Sequence, residues 1–124
     1  PIVQIPHDLD KWVRCLEFTM IDALAKVNIE AMRKEGSTGV WVQTKDGARK
    51  LASVGIAVKR WVSYHGLALN ISNDLQGFRA LGQPCGLPSE VMTTVSSLIA
   101  PRADWRSFWE ANLLSSFKDR MSKL

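Results

Sequence analysis

Two residues 35 positions apart (85 − 50) have the types needed for acyl chemistry. Cys85 sits in Gln83-Pro84-Cys85-Gly86, and Lys50 closes the run Asp46-Gly-Ala-Arg-Lys50 and opens an apolar stretch. A thiolate is a strong nucleophile that forms a thioester readily from another thioester. Free cysteine has a pKa of about 8.5, so it needs a nearby cation or oriented amides to ionise fully near neutrality. Gly86 lets a carbonyl approach the backbone, whose amides could stabilise an oxyanion. A lysine desolvated beside the thiol could act as its proton acceptor. The competing reading makes Cys85 a buried structural thiol and Lys50 a solvated surface charge.

His65, in Tyr64-His-Gly-Leu-Ala-Leu-Asn70, is placed either to hydrogen-bond a substrate or to sit half-buried with its own partners. Gly36-Ser-Thr-Gly39 has glycines suited to a phosphate loop, but no Lys-Ser/Thr and helix follow. Trp41 and Trp61 read as sheet packing. Arg49, Lys59 and Arg60 suit either a solvated face or an acidic partner.

The bulk composition narrows the classes. With 124 residues and 46% hydrophobic content, the chain has the make-up of one ordinary globular domain. The net charge of +4 implies weak attraction to acidic partners, acidic carrier proteins among them. No basic helix or aromatic–basic stripe points to nucleic acid. No run of about 18 apolar residues suggests a membrane span, and Pro1-Ile-Val-Gln-Ile-Pro6 lacks the features of a signal peptide. The two cysteines, Cys15 and Cys85, are too few for a disulfide framework and imply a reducing compartment. Without CxxC, HExxH or a histidine near His65, no metal site is expected.

These residues need elements to hold them. Ile2 to Ile5 suits a short edge strand. A helix is predicted after a cap at Asp8 or Asp10, with Trp12, Leu16, Met20, Ala23, Leu24 and Val27 on one face and Asn28 ending it. Cys15 falls inside it as a small hydrophobe. A short strand follows at Ile29 to Met32, then a loop over Arg33 to Gly39. Strands at Val40 to Gln43, Leu51 to Val58 and Val62 to Ile71 form an antiparallel meander, the first two joined through Thr44-Lys-Asp-Gly47, a hairpin signal. Gly66 marks a bulge or close backbone approach. A turn at Ser72 to Gly77, a helical piece at Phe78 to Leu81 and a loop over Gly82 to Pro88 precede a β-branched run, Val91 to Leu98, predicted as a strand. Pro101 ends it. Asp104 then caps a last helix whose face is Trp105, Phe108, Trp109, Leu113, Phe117, Met121 and Leu124. The order implies an α+β domain with helices on one face of a sheet.

Taken together, Gly36-Ser-Thr-Gly-Val-Trp41, Arg49-Lys50-Leu-Ala-Ser-Val-Gly55, Arg60-Trp61, His65-Gly-Leu-Ala-Leu-Asn70, Asp74-Leu75 and Pro84-Cys85-Gly86-Leu87 resemble, in type and order, the lipoyl(octanoyl) transferases. Val95-Ser-Ser-Leu98 is similar to that family's Val-Thr-Ser-Leu. The resemblance implies a mostly antiparallel sheet with helices packed on it, similar to the lipoate/biotin protein ligase catalytic fold, in one domain over residues 1–124 that lacks the family's earlier half. It implies transfer of an octanoyl group from acyl carrier protein to a lysine of lipoyl domains of 2-oxoacid dehydrogenases or glycine cleavage H protein. Cys85 would carry the acyl group as a thioester with Lys50 as its partner. His65, Gly66, Leu67, Ala68, Asn70 and Gly86 would contact substrate, with no cofactor, in a bacterial cytoplasm or a mitochondrial matrix. Two departures stand out. The family's glycine-flanked arginine motif and His-Gly-Pro-Gly-Gln are absent, and Leu87 to Thr94 is longer than the family spacing. The rival expectations are an ATP-dependent lipoate- or biotin-ligase-like enzyme and an inactive binding module.

Overall fold

A computed structural model describes residues 3–4, 8–72 and 92–124. Its elements are β1 (Val3–Gln4), α1 (Leu9–Ala25), β2 (Ala31–Lys34), β3 (Ser37–Thr44), β4 (Gly47–Lys59), β5 (Val62–Leu69), a 3-10 turn (Val95–Ser97) and α2 (Trp105–Met121). The strands form one antiparallel sheet in the order β1-β5-β4-β3-β2. This is the expected α+β architecture.

The first helix forms as its sequence requires. Asp8 is extended and its Oδ1 accepts from the Lys11 amide at 3.1 Å, satisfying one free donor of the first turn. At the other end Asn28 takes a left-handed φ of 62°, and the Ile29 amide turns back to the Leu24 carbonyl at 3.0 Å. Met20, Ala23 and Leu24 are fully buried against Val40, Leu51 and Ala52 of the sheet. Trp12 and Leu16 pack on Val54 and Ile56, and the Trp12 indole donates to Ser63 Oγ at 2.9 Å. Cys15 is buried beside them, as a small hydrophobe should be, and burial pushes its thiol pKa up from the usual value.

Helix α2 packs on α1 and inserts Trp105 and Trp109 into the core. Its buried face also carries Asn112, whose Nδ2 donates to the Ala23 carbonyl at 2.9 Å, and Ser116. An apolar stripe does not reveal such polar positions. Asp104 is the N-cap residue of α2, as predicted, and its carbonyl accepts from the Phe108 amide at 2.9 Å, but its side chain makes no capping bond. That carboxylate instead takes Arg102 Nε and Nη2, both at 3.0 Å.

Three strand expectations change. Arg33 to Gly39 is not a loop: β2 and β3 meet in a two-residue turn at Glu35 and Gly36, where Gly36 has φ 80°. The short strand expected at Ile29 to Met32 is β2, shifted to Ala31–Lys34; it is an edge strand, and edges tolerate charged side chains, so Arg33 and Lys34 hide its second half from a hydrophobic pattern. β4 starts at Gly47 rather than Leu51, which places Lys50 inside the strand. Of the run Val91 to Leu98, the described residues 92–98 do not form a strand. Met92 makes one parallel bridge to Lys50, and the chain then coils into the 3-10 turn. Ser97 Oγ donates to the Thr94 carbonyl at 2.7 Å and meets Thr93 Oγ1 at 2.9 Å, local bonds that compete with a ladder.

The β4–β5 hairpin turns at Arg60 and Trp61, both with positive φ (53° and 59°), the backbone of a type I′ turn. Trp61 packs on the Trp12 cluster, which holds it in this conformation without glycine. The remainder of the predicted Ser72–Gly77 turn, the Phe78–Leu81 helical piece and the Gly82–Pro88 loop lie outside the described residues.

Candidate active site

Lys50 is only 4% exposed. Lysine is rarely buried to this degree unless something requires it. The cause is a shift in register between β3 and β4. Val40 pairs with Ala52 but Trp41 pairs with Lys50, so Leu51 is an extra residue on β4. Such a bulge re-aims neighbouring side chains, and here Lys50, Leu51 and Ala52 are buried in succession where a regular strand would alternate.

The wall beside Lys50 is Gly39, at φ 116°. A Cβ there would lie 2.6 Å from Lys50 Cε, 3.3 Å from Nζ and 2.6 Å from the Ala52 carbonyl oxygen. The missing side chain is therefore the space that Lys50 occupies. Its Nζ lies 5.9 Å from the centre of the Trp41 ring. Among the described residues Lys50 forms no ion pair. The Trp41 indole Nε1 is buried without a hydrogen-bond partner among the described residues.

Backbone bonds bring two distant stretches to this point. The Asn70 amide donates to the Leu51 carbonyl at 2.8 Å, and the Thr93 amide to the Lys50 carbonyl at 2.9 Å. The Val95 and Ser96 amides then donate to the carbonyls of Asn70 and Ile71, both at 2.8 Å. The chain leaving β5 and the chain resuming at Met92 are thus stapled to one another and to Lys50–Leu51. Cys85 and Gly86 lie between those two ends in sequence, outside the described residues. The buried Asn70 belongs to this junction.

Of the remaining predicted contacts, Gly66, Leu67 and Ala68 line a cavity of about 740 Å³ between α1, α2 and the β4–β5 strands. Gly66 pairs with Gly55, which also lines it, and a Cβ on either would meet nothing within 4 Å. Trp12 and Phe117 close it from the helices. Lys50 and Asn70 do not line it; Ser53, three residues along β4 from Lys50 (53 − 50), does. His65 pairs with Ile56 in β5, and its side chain falls outside the described residues. No group of three or more His, Cys, Asp or Glu among the described residues could hold a metal ion. None of their helices is long and apolar enough to cross a membrane.

Sequence reasoning missed Gly39 and Trp41 as parts of the site. Gly36-Ser-Thr-Gly39 reads as a loop in one dimension, whereas Gly39 is a strand residue that makes room for a lysine on the neighbouring strand.

The sequence profile of the lipoyl protein ligase A/B catalytic domain matches residues 1–118. The chain belongs to this family. Among curated relatives, the octanoyltransferase of Geobacter metallireducens is 41% identical over 93 residues, covering 75% of this chain and 41% of that protein. That of Geobacter sulfurreducens is 46% identical over 90 residues, covering 73% of this chain and 36% of the relative. The chain thus spans about two fifths of the length of these curated relatives. Two solved structures share the lipoyl protein ligase fold. A chain from the structure of a bi-partite lipoate protein ligase and its E2 lipoyl domain from Thermoplasma acidophilum aligns with a TM-score of 0.74 at 12% identity, covering 98% of this chain and 49% of that one. Lipoate-protein ligase A bound with ATP aligns with a TM-score of 0.71 at 14% identity, covering 98% and 50%.

Proposed function

We propose that this chain forms the part of an octanoyltransferase that carries the acyl group on Cys85 and moves protons through Lys50. The observation that supports the reading is the buried lysine of the β4 bulge, with one end of the Cys85 segment bonded to Leu51 and the other to Lys50. In the first half-reaction the Cys85 sulfur attacks the thioester carbonyl of octanoyl-acyl carrier protein. The new carbon–sulfur bond replaces the donor's, and Lys50 takes the Cys85 thiol proton and passes it to the departing donor thiolate. In the second, the target lysine of a lipoyl domain attacks the Cys85 thioester, Lys50 accepts the proton that the amine loses, and the Cys85 thiolate departs. His65, Asn70 and Gly86 contact the acyl donor. Lys59 and Arg60, exposed at the β4–β5 hairpin, are suited to acidic carrier domains.

The cavity lined by Gly66, Leu67 and Ala68 is apolar in its lining and within the usual range of about 300–1,000 Å³ for ligand sites. We assign it to the octanoyl chain. Gly55→Leu adds a side chain where nothing lies within 4 Å of the new Cβ. The expected result is a KM for the octanoyl donor raised by roughly 10-fold with little change in Tm. An unchanged KM across acyl lengths would remove the cavity from the reaction.

Intact-mass and peptide mass spectrometry test the thioester. Incubation with octanoyl-acyl carrier protein should place one hydroxylamine-labile octanoyl group on Cys85 and none on Cys15, whose buried, raised-pKa thiol stays protonated near neutrality. The adduct should be lost in Cys85→Ser. A requirement for ATP would instead favour ligase chemistry, a reading to which the shared fold of the ATP-bound ligase lends support. Absence of any adduct in the complete protein containing this chain would favour an inactive binding module.

A further inference from the structure

One buried charged group is not used by the mechanism above. Glu17, in the middle of α1, is 1% exposed. Its Oε1 accepts from Arg33 Nε at 2.8 Å, and its Oε2 accepts from the Gly39 amide, also at 2.8 Å. An ion pair with a half-exposed arginine does not by itself justify burying a carboxylate, because desolvation offsets much of the attraction. The second bond is the informative one. It fastens the α1 side chain to the one residue whose missing Cβ makes room for Lys50.

We propose that Glu17 is a positioning residue for Lys50, acting through Gly39. The carboxylate draws the backbone at Gly39 toward α1 and holds it at the left-handed φ that only glycine adopts without strain. Gly39 then bounds the path of the Lys50 side chain at Cε, and Trp41 bounds it at Nζ. These two walls narrow the ways in which Lys50 can extend from the bulge. If Glu17 is shortened, Gly39 loses its anchor and the lysine head gains freedom that an in-line proton transfer does not tolerate. Displacement of a reacting group by about 1 Å can cost about 100-fold in rate. Nothing in the run Cys15-Leu-Glu-Phe18 signals this role in sequence, because the partner amide is 22 residues away.

The inference rests on the proposal that Lys50 handles the proton, and paired substitutions separate the two. Glu17→Asp keeps the charge that Arg33 needs but is one methylene short of Gly39. Glu17→Gln loses the charge but keeps an oxygen at the right length to accept from the Gly39 amide. In the complete enzyme, steady-state octanoyl transfer should show kcat lowered about 10–100-fold in Glu17→Asp, with the donor KM within about threefold of wild type, and kcat within about threefold of wild type in Glu17→Gln. A role confined to the Arg33 ion pair predicts the opposite order, and that order would overturn the proposal. So would equal kcat in both variants while Lys50→Ala is inactive. Full activity of Lys50→Ala would instead remove the reading of Lys50, and the role of Glu17 with it.

Discussion

Replacing Lys50 with alanine is expected to lower octanoyl transfer by about 10²–10⁴-fold, the usual contribution of a positioned acid–base group. The measurement is single-turnover transfer from Cys85-octanoyl enzyme to a lipoyl domain. The loss should not come from unfolding. Lys50 forms no ion pair among the described residues, so its truncation leaves no partner charge buried and unpaired. Arginine should not rescue. Its guanidinium does not release a proton at accessible pH. Lys50→Ala turning over within about tenfold of wild type would rule out Lys50 as the proton acceptor.

The second large effect is expected at Gly39. In Gly39→Ala the new methyl would sit 2.6 Å from the Ala52 carbonyl oxygen, a backbone atom in a paired strand that cannot swing away. It would also meet Lys50 Cε at 2.6 Å, and the φ of 116° is unfavourable for any L side chain. Strain and clash together should cost roughly 2–4 kcal/mol, a fall in Tm of roughly 10 °C for a chain of this size. At temperatures where the variant stays folded, transfer should still be impaired, because Lys50 must leave its place. Thermal unfolding followed by circular dichroism, with activity measured well below the transition, separates the two losses. A variant with wild-type Tm and rate would show that β3 relaxes freely here and that Gly39 guides nothing.

The two substitutions act on the site from opposite sides. One removes the chemistry and spares the fold; the other changes no functional group yet takes away the space in which the chemistry stands. The Glu17 variants lie between them, since they alter only the length of the tether that holds Gly39.

Much of the fold was legible in the chain. The spacing from Trp12 to Leu24, the Asp8 cap and the left-handed Asn28 define α1 through bonds made within a few residues. Asp46-Gly47 marks the β3–β4 hairpin for the same reason: a two-residue turn is a local conformational choice. The ordered motifs from Gly36 to Cys85 carry the family resemblance, and Cys85 and Lys50 stand out by their chemistry in that order. Where side chains offer their own bonds, local reading fails, as at Thr93 to Ser97, where hydroxyls divert a β-branched run from the ladder.

By itself, then, the sequence determined the meander, the first helix with its cap at Asp8 or Asp10, the family, and which residue types are available for acyl transfer. Only the tertiary structure decided that Lys50 is buried rather than solvated. That depends on the register of β3 against β4, which slips by one residue at Leu51, and register is a property of two strands that neither strand's pattern contains. The same holds for Gly39, whose role is set by Lys50 on the next strand, and for Glu17, whose partner lies 22 residues further along the chain. Spacing within an element reports its periodicity, while contacts between elements depend on how they pack, and this site is built almost wholly from contacts of that second kind.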